Sequence, residues 1–297
     1  MGDGRCSSRL VTYFGRLGLA LGPGLGYPRS MLEAAAIDQV SARIAEIAAT
    51  AIVPRYQALA AHEIALKGPS DYVTAADIEA EALLERALAD ILPGSVVVGE
   101  EAVAKNANVL DRLAEAGPVW IVDPLDGTGN FAQGRRPFCT IVALAIAGKP
   151  VAGWIYEPLS GDLLVAVRGS GAQFRGTPAK LAGGTVGAVY GNKLRKRAVE
   201  SERFAGFVDE RCAGAVYLDL ARGRIGFGVF TRALPWDHAA GCLAVAEMGG
   251  VSAFMDDRSA YDVRRHVGPL LQAATQEAWD DIASVLADQE NAASNAP

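Results

Sequence analysis

The chain has 297 residues, enough for one large or two smaller domains, and 51% are hydrophobic, so a sizeable core can be buried. With 34 acids against 28 bases the net charge is −6, which argues against nucleic-acid binding through bulk charge. No apolar run reaches membrane-span length, and Cys6, Cys139, Cys212 and Cys242 form no C-x-x-C pair, so they read as reduced thiols of a cytoplasmic protein.

Residues 1–30 carry four arginines, seven glycines and two prolines without a helical period. Leu17 to Leu25 is a weak signal-peptide core, interrupted by Gly and Pro. The stretch reads as a flexible extension, or as chain upstream of a true start at Met31. From Met31, the spacing of Ile37, Val40, Ile44, Ile47 and Ala51 predicts a long helix ending near Pro54. A turn-rich connection, Lys67 to Asp77, leads into a second helix with Ala80, Leu84, Ala87 and Ile91 on one face. Thr74 and Asp77 have capping-box spacing, a structural explanation for Asp77.

Val96 to Val98 is a short strand stopped by Gly99-Glu100-Glu101. Val119 to Val122 is another, expected to end at Asp123 because Pro124 cannot continue a ladder. Asp126-Gly127 then turns the chain, so two strand exits present acids, as neighbouring strands converging their carboxylates would. Cys139 to Ile146, Val151 to Tyr156 and Leu163 to Val167, with short gaps, predict an antiparallel meander. Asn192 to Arg197 is a basic cluster, read as a solvated loop rather than a phosphate site. Ile225 to Phe230 alternates Gly with large apolar residues, a strand closely approached by other backbone. Asp237 opens an alanine-rich helix that stops at Gly249-Gly250. Strands at Val251 to Phe254 and Leu270 to Ala274, a helix over Gln276 to Leu286 and a frayed tail from Asp288 complete the pass.

The candidate chemistry lies in Asp77, Glu100, Asp123, Asp126 and Asp237. Five carboxylates cannot share a small site unless cations neutralise them. Oxygen donors without His or Cys point to Mg²⁺, with Mn²⁺ as an alternative, and paired ions of this kind serve phosphoryl transfer. Gly127-Thr128-Gly129 could turn backbone N–H groups toward a phosphate.

Four motifs carry a resemblance: Asp123 through Phe131 (D-P-L-D-G-T-G-N-F), Trp236 through Gly250, Gly99 to Glu101, and Lys67 to Asp77. In order and spacing the chain resembles the inositol monophosphatase family of magnesium-dependent, lithium-sensitive phosphatases over about residues 31–290. The resemblance implies a layered αβαβα sandwich of the α/β (α+β) class, with a largely antiparallel sheet and a second, mixed one. It implies one phosphatase domain over residues 31–288, in lobes of about 31–180 and 181–288, with a tail over 289–297. It also implies a homodimer and two or three Mg²⁺ ions. By position, Glu100, Asp123 and the Leu125 carbonyl resemble ligands of a first metal, and Asp123, Asp126 and Asp237 those of a second. Thr128 and Asp77 resemble the pair that orients and deprotonates the nucleophilic water. Glu100, Leu125, Asp126, Gly127, Thr128 and Asp237 would surround the substrate, a small phosphorylated metabolite.

Two departures concern substrate. Inositol-specific members carry a glutamate seven residues before the second-motif aspartate, where this chain has Phe230, and many carry an acid where it has Gly226. An apolar wall at Phe230 predicts poor hydrolysis of inositol monophosphate and favours an apolar or heteroaromatic monoester, such as histidinol phosphate or a nucleoside monophosphate. Nucleotide 3'-phosphates and sugar bisphosphates are alternatives, as is a non-catalytic binding protein on the same scaffold. His238 is expected to pack beside the second motif. A chain beginning at Met31 should keep the full melting temperature and activity; a loss of several degrees would show that residues 1–30 pack on the core.

Overall fold

The computed structural model describes residues 34–68 and 71–287; Cys6, the stretch 1–30, Met31 and the tail from Asp288 lie outside them. Helix α1 (Ala34–Ile47) buries Ile37, Val40, Ile44 and Ile47, and a wider turn, Ala48–Ile52, carries the chain to Pro54. The Lys67–Asp77 segment is not a simple loop. Strands β1 (Ile64–Gly68) and β2 (Asp71–Thr74) pair antiparallel there as a hairpin. Thr74 then caps α2 (Ala75–Ile91): its Oγ1 accepts from the Ala76 N–H, and the Asp77 carboxylate accepts from the Thr74 N–H at 2.9 Å.

Strand β3 (Val96–Gly99), short helix α3 (Glu100–Lys105) and a 3-10 turn lead to β4 (Pro118–Asp126). After helix α4 (Thr128–Ala132) come β5 (Cys139–Ile146), β6 (Lys149–Glu157), β7 (Asp162–Val167), β8 (Gly171–Phe174) and β9 (Thr177–Pro178). These form a seven-stranded sheet in the order β3-β4-β5-β6-β7-β8-β9, parallel at β3/β4 and antiparallel elsewhere, as the short gaps predict.

The second half contributes β10 (Val186–Val189), α5 (Asn192–Glu200), β11 (Gly206–Val208), α6 (Ala213–Ala221) and β12 (Phe227–Arg232). Helix α7 (Pro235–Glu247), β13 (Val251–Phe254), β14 (Val267–Ala273) and α8 (Gln276–Leu286) follow. Their five-stranded sheet runs β11-β10-β12-β14-β13 with mixed direction. The basic cluster Asn192 to Arg197 is thus the first part of helix α5, not a loop. Its residue types propagate helix well, and buried Ala198 docks it on the second sheet.

Alternation on the strands assigns the layers. Trp120, Val122 and Trp154 face α1 and α2, whereas Val119, Ile121 and Ile155 face the layer of α6 and α7. The second sheet presents Phe230 and Leu270 to that middle layer, and Val229 and Leu271 to α5 and α8. The result is the expected αβαβα sandwich. Between the first two layers Ser41 Oγ accepts from Trp154 Nε1 at 3.0 Å and donates to the Ile37 carbonyl, so both buried groups are matched. No helix among the described residues is long and apolar enough to cross a membrane.

Strand β4 corrects one expectation. Its pairing does not stop at Asp123: Asp123 opposes Ile141 and Asp126 opposes Cys139, with a bulge between. Pro124 is tolerated because the bulge asks no ladder N–H of it, and Thr140 Oγ1 donates to its carbonyl at 2.9 Å. Close backbone approach at Gly226 is as expected, since a side chain there would strike the Gly184 backbone.

Helix α7 lies directly on β6, where a Cβ at Gly153 would come within 2.7 Å of the Ala240 Cα. Gly153→Val should therefore push the helix off the sheet and cost about 1–3 kcal/mol. Chemical denaturation reads this directly, and an unchanged midpoint would contradict the packing.

Candidate active site

The bulge in β4 decides which way its acids point. Asp123 and Asp126 are an odd number of residues apart, so a regular strand would send them to opposite faces. The extra residue restores the same side, and both line one open cleft of about 910 Å³. Gly99 of β3 pairs with Val122 of β4, so Glu100, the first residue of α3, and Asp123 directly follow a paired position of two adjacent parallel strands. Asp237 joins them from the first turn of α7, and Leu125, Gly127 and Thr128 complete that side of the cleft. Gly127, at φ +85°, makes the turn into α4, and a Cβ there would meet the Pro137 carbonyl at 3.0 Å.

Of the residues expected to hold metal, water or phosphate, Asp77 stands apart from the cleft lining. It is 1% exposed and lies behind Thr128, whose Oγ1 is 3.0 Å from Asp77 Oδ1 and 2.8 Å from the Leu125 carbonyl. The Thr74 hydroxyl donates to Asp77 Oδ2 at 2.5 Å. Burial pushes the Asp77 pKa up to about 7 against these hydrogen bonds. The capping role and the site position hold together in one carboxylate.

Asp126 also works for the fold. Its oxygens accept from the Gly214 N–H at 2.6 Å, the Ala213 N–H at 3.1 Å and the Cys212 thiol at 3.0 Å, which seats the N-terminus of α6. Asn130 donates to the Pro137 and Glu210 carbonyls and ties the neighbouring loops together.

Lys67, expected only as the start of a motif, and Glu81, which sequence reasoning did not single out, build the Glu100 corner. Lys67 Nζ lies 2.6 Å from Glu100 and 3.0 Å from Glu101. Burial opposes its charge, yet these carboxylates hold its pKa above the usual lysine value. Glu81 of α2 accepts the Glu101 and Ala102 N–H groups, each at 2.8 Å, and so caps the helix that carries Glu100. Its carboxylate packs onto Gly99, where a Cβ would come within 2.7 Å of Oε1. Glycine is required at that position for this reason, and Glu81 lies one helical turn beyond Asp77, the signal that could have found it.

Burial first, and then mutual repulsion, raises the pKa of Asp123 and Asp237 well above the usual carboxylate range. Glu100 and Asp126 are raised for the same first reason, opposed by Lys67 and by the α6 amides respectively. Among the described residues no three carboxylate, thiol or imidazole groups converge as ready-made ligands of one ion. The donor set still fits a hard divalent cation: its side chains offer only oxygen, and their repulsion calls for positive charge beyond Lys67.

The outer wall departs from expectation. Phe230 is 7% exposed and does not line the cleft; it stacks on Tyr190 with ring centroids 5.2 Å apart. His238 is buried beside it, its pKa pushed down to about 3 by burial, and its Nδ1 is 2.9 Å from the Tyr217 hydroxyl. Arg211, Arg232, Leu234 and Trp236 face the cleft instead.

Asp77 and Glu81 both have folded pKa values near 7, raised above those of an unfolded carboxylate. The fold then binds their protons more tightly than the unfolded chain, so this stability is full below the unfolded pKa of about 4 and is lost as pH rises through about 7. In chelator, Asp77→Asn should gain stability relative to the unsubstituted chain across that window. Denaturation midpoints at a series of pH values check this; a pH-independent difference would contradict it.

The Inositol monophosphatase family profile matches residues 33–289. The chain is 33% identical over 227 residues to the Nus factor SuhB of Escherichia coli (strain K12), covering 71% of this chain and 82% of that protein. It is 34% identical over 203 residues to inositol monophosphatase 2 of Solanum lycopersicum, covering 62% and 75% respectively. The crystal structure of the extragenic suppressor protein suhB from Bartonella henselae superposes with a TM-score of 0.71 at 26% identity, covering 86% of this chain and 99% of that one. With the same order of layers and the motif residues gathered at one cleft, the chain belongs to the inositol monophosphatase family.

Proposed function

We propose that the protein is a Mg²⁺-dependent phosphomonoesterase that hydrolyses a small phosphate monoester in this cleft. The observation that carries the reading is the Asp77–Thr128 pair, a buried carboxylate reached from the cleft through one hydroxyl. Asp77 has a pKa near neutrality, as suits a general base at ordinary pH. Thr128 Oγ1 takes a proton from a water in the cleft while passing its own to Asp77 Oδ1. The Leu125 carbonyl, 2.8 Å from the same Oγ1, fixes where the hydroxyl stands.

Glu100, Asp123, Asp126, Asp237 and the Leu125 carbonyl would hold the metal, and Lys67 would keep Glu100 oriented. When bound, Mg²⁺ supplies activation of the attacking water and charge stabilisation at the leaving oxygen. Close to these acids a phosphate meets repulsion that a cation bound among them would offset.

Asp123→Asn should remove nearly all turnover while the folded state persists, and chelator should do the same. Thr128→Ala should lower kcat by about 10²–10⁴. Thr128→Ser should recover most of it, and Thr128→Ala/Asp77→Asn should cost little more than either change alone. Steady-state kinetics on a panel of phosphate monoesters makes these measurements. Metal-independent turnover, or additive losses in the double variant, would overturn the mechanism.

A further inference from the structure

Arg211 and Arg232 line the cleft that holds the acids, and neither is held there by a close, buried ion pair among the described residues. The Arg232 guanidinium makes no hydrogen bond or ion pair among the described residues, although its charge bears on Asp237. Arg211 reaches Asp209 at 3.5 Å, an exposed contact two residues away that contributes little. Both backbones, by contrast, are held firmly from behind. Arg211 has a φ of 50°, in the left-handed region that favours glycine, and its N–H donates to the Tyr190 hydroxyl at 3.2 Å. Arg232 ends β12, its backbone paired with Val267 of β14 past an irregularity that follows Phe230. Tyr190 and His238 in turn pack on Phe230, at 5.2 Å and 4.5 Å between centroids. One aromatic stack thus underlies both arginines: Tyr190 holds the Arg211 amide, and Phe230 precedes Arg232 by two residues on β12. A long side chain kept where glycine would be unstrained, facing a cleft, points to a use for that side chain.

We propose that Arg211 and Arg232 form a subsite for a second anionic group, phosphate or carboxylate, so that the preferred substrate is a phosphate monoester bearing a further anion. This rests on the phosphatase reading above. The guanidinium fork matches either oxyanion through paired N–H donors, and such charge-assisted contacts are the strong ones. An aromatic ring buried under the wall contributes by placing the arginines, not by touching the substrate.

Matched pairs test it on the full chain with Mg²⁺: butanediol bisphosphate against butanediol monophosphate, and phosphoglycerate against glycerol phosphate. The unsubstituted protein should favour the member with the extra anion by about ten- to a hundred-fold in kcat/KM, mainly through KM. The pair that shows the larger preference identifies phosphate or carboxylate as the second group. Arg211→Ala/Arg232→Ala should abolish the preference, and Arg232→Lys should restore part of it. Equal losses for both members of each pair would mean that the arginines hold the reacting phosphate, and would overturn the proposal, as would the absence of any preference in the unsubstituted protein. If no monoester at all is turned over, the phosphatase reading fails instead. Calorimetric binding of butanediol bisphosphate and monophosphate then decides the subsite by the same ratio.

Discussion

Glu100, Asp123, Asp126 and Asp237 come from three different elements, and the fold places them where each raises the cost of ionising the others. In water four such charges would be indifferent to one another; at the end of a buried strand they are not. Much of the surrounding structure answers that repulsion. Lys67 sits on Glu100 and Glu101, the first amides of α6 point at Asp126, and two threonine hydroxyls attend Asp77. What these partners leave uncompensated, chiefly at Asp123 and Asp237, is the part that suits a divalent cation.

Precision at the site comes from features that look like defects. A bulge containing proline in a central strand interrupts the ladder, yet it turns two acids of odd separation to the same side. A buried glutamate on α2 is costly alone, but Glu81 accepts the free amides of α3 and so fixes the helix that starts at Glu100. The absence of a side chain at Gly99 makes room for that clamp. Each irregularity costs something locally and is offset by a group it brings into place.

The same logic extends to the wall of the cleft. An aromatic residue at position 230 does not itself create an apolar face for substrate, because Tyr190, Tyr217 and His238 enclose it. Its ring packs behind the wall, and Arg211 and Arg232 face the cleft beside Leu234 and Trp236. Acids and arginines are therefore held by different elements: the acids by strand ends and helix termini of the first sheet and middle layer, Arg232 by the end of β12 and Arg211 by the turn before α6.

Much of this was legible in the residues. The spacing of Ile37, Val40, Ile44 and Ile47 defined α1, short gaps defined the meander, and motif order located Asp77, Glu100, Asp123, Asp126, Thr128 and Asp237. Those features depend on local periodicity and on neighbours close in the chain, which a sequence displays. It did not show that Ile64–Gly68 pairs with Asp71–Thr74, that Asn192 to Glu200 is helical, or that Pro124 lies within a strand, because competing local preferences are settled there by docking. Nor did it show that Asp77 stands behind Thr128, that Glu81 grips α3, or that Phe230 is covered while the arginines are not. By itself the sequence determined which chemical groups the protein owns and the order in which they arrive. Which of them meet, and which face outward, was decided only when the two sheets packed against the middle helices, since burial and contact between distant residues are properties of that packing alone.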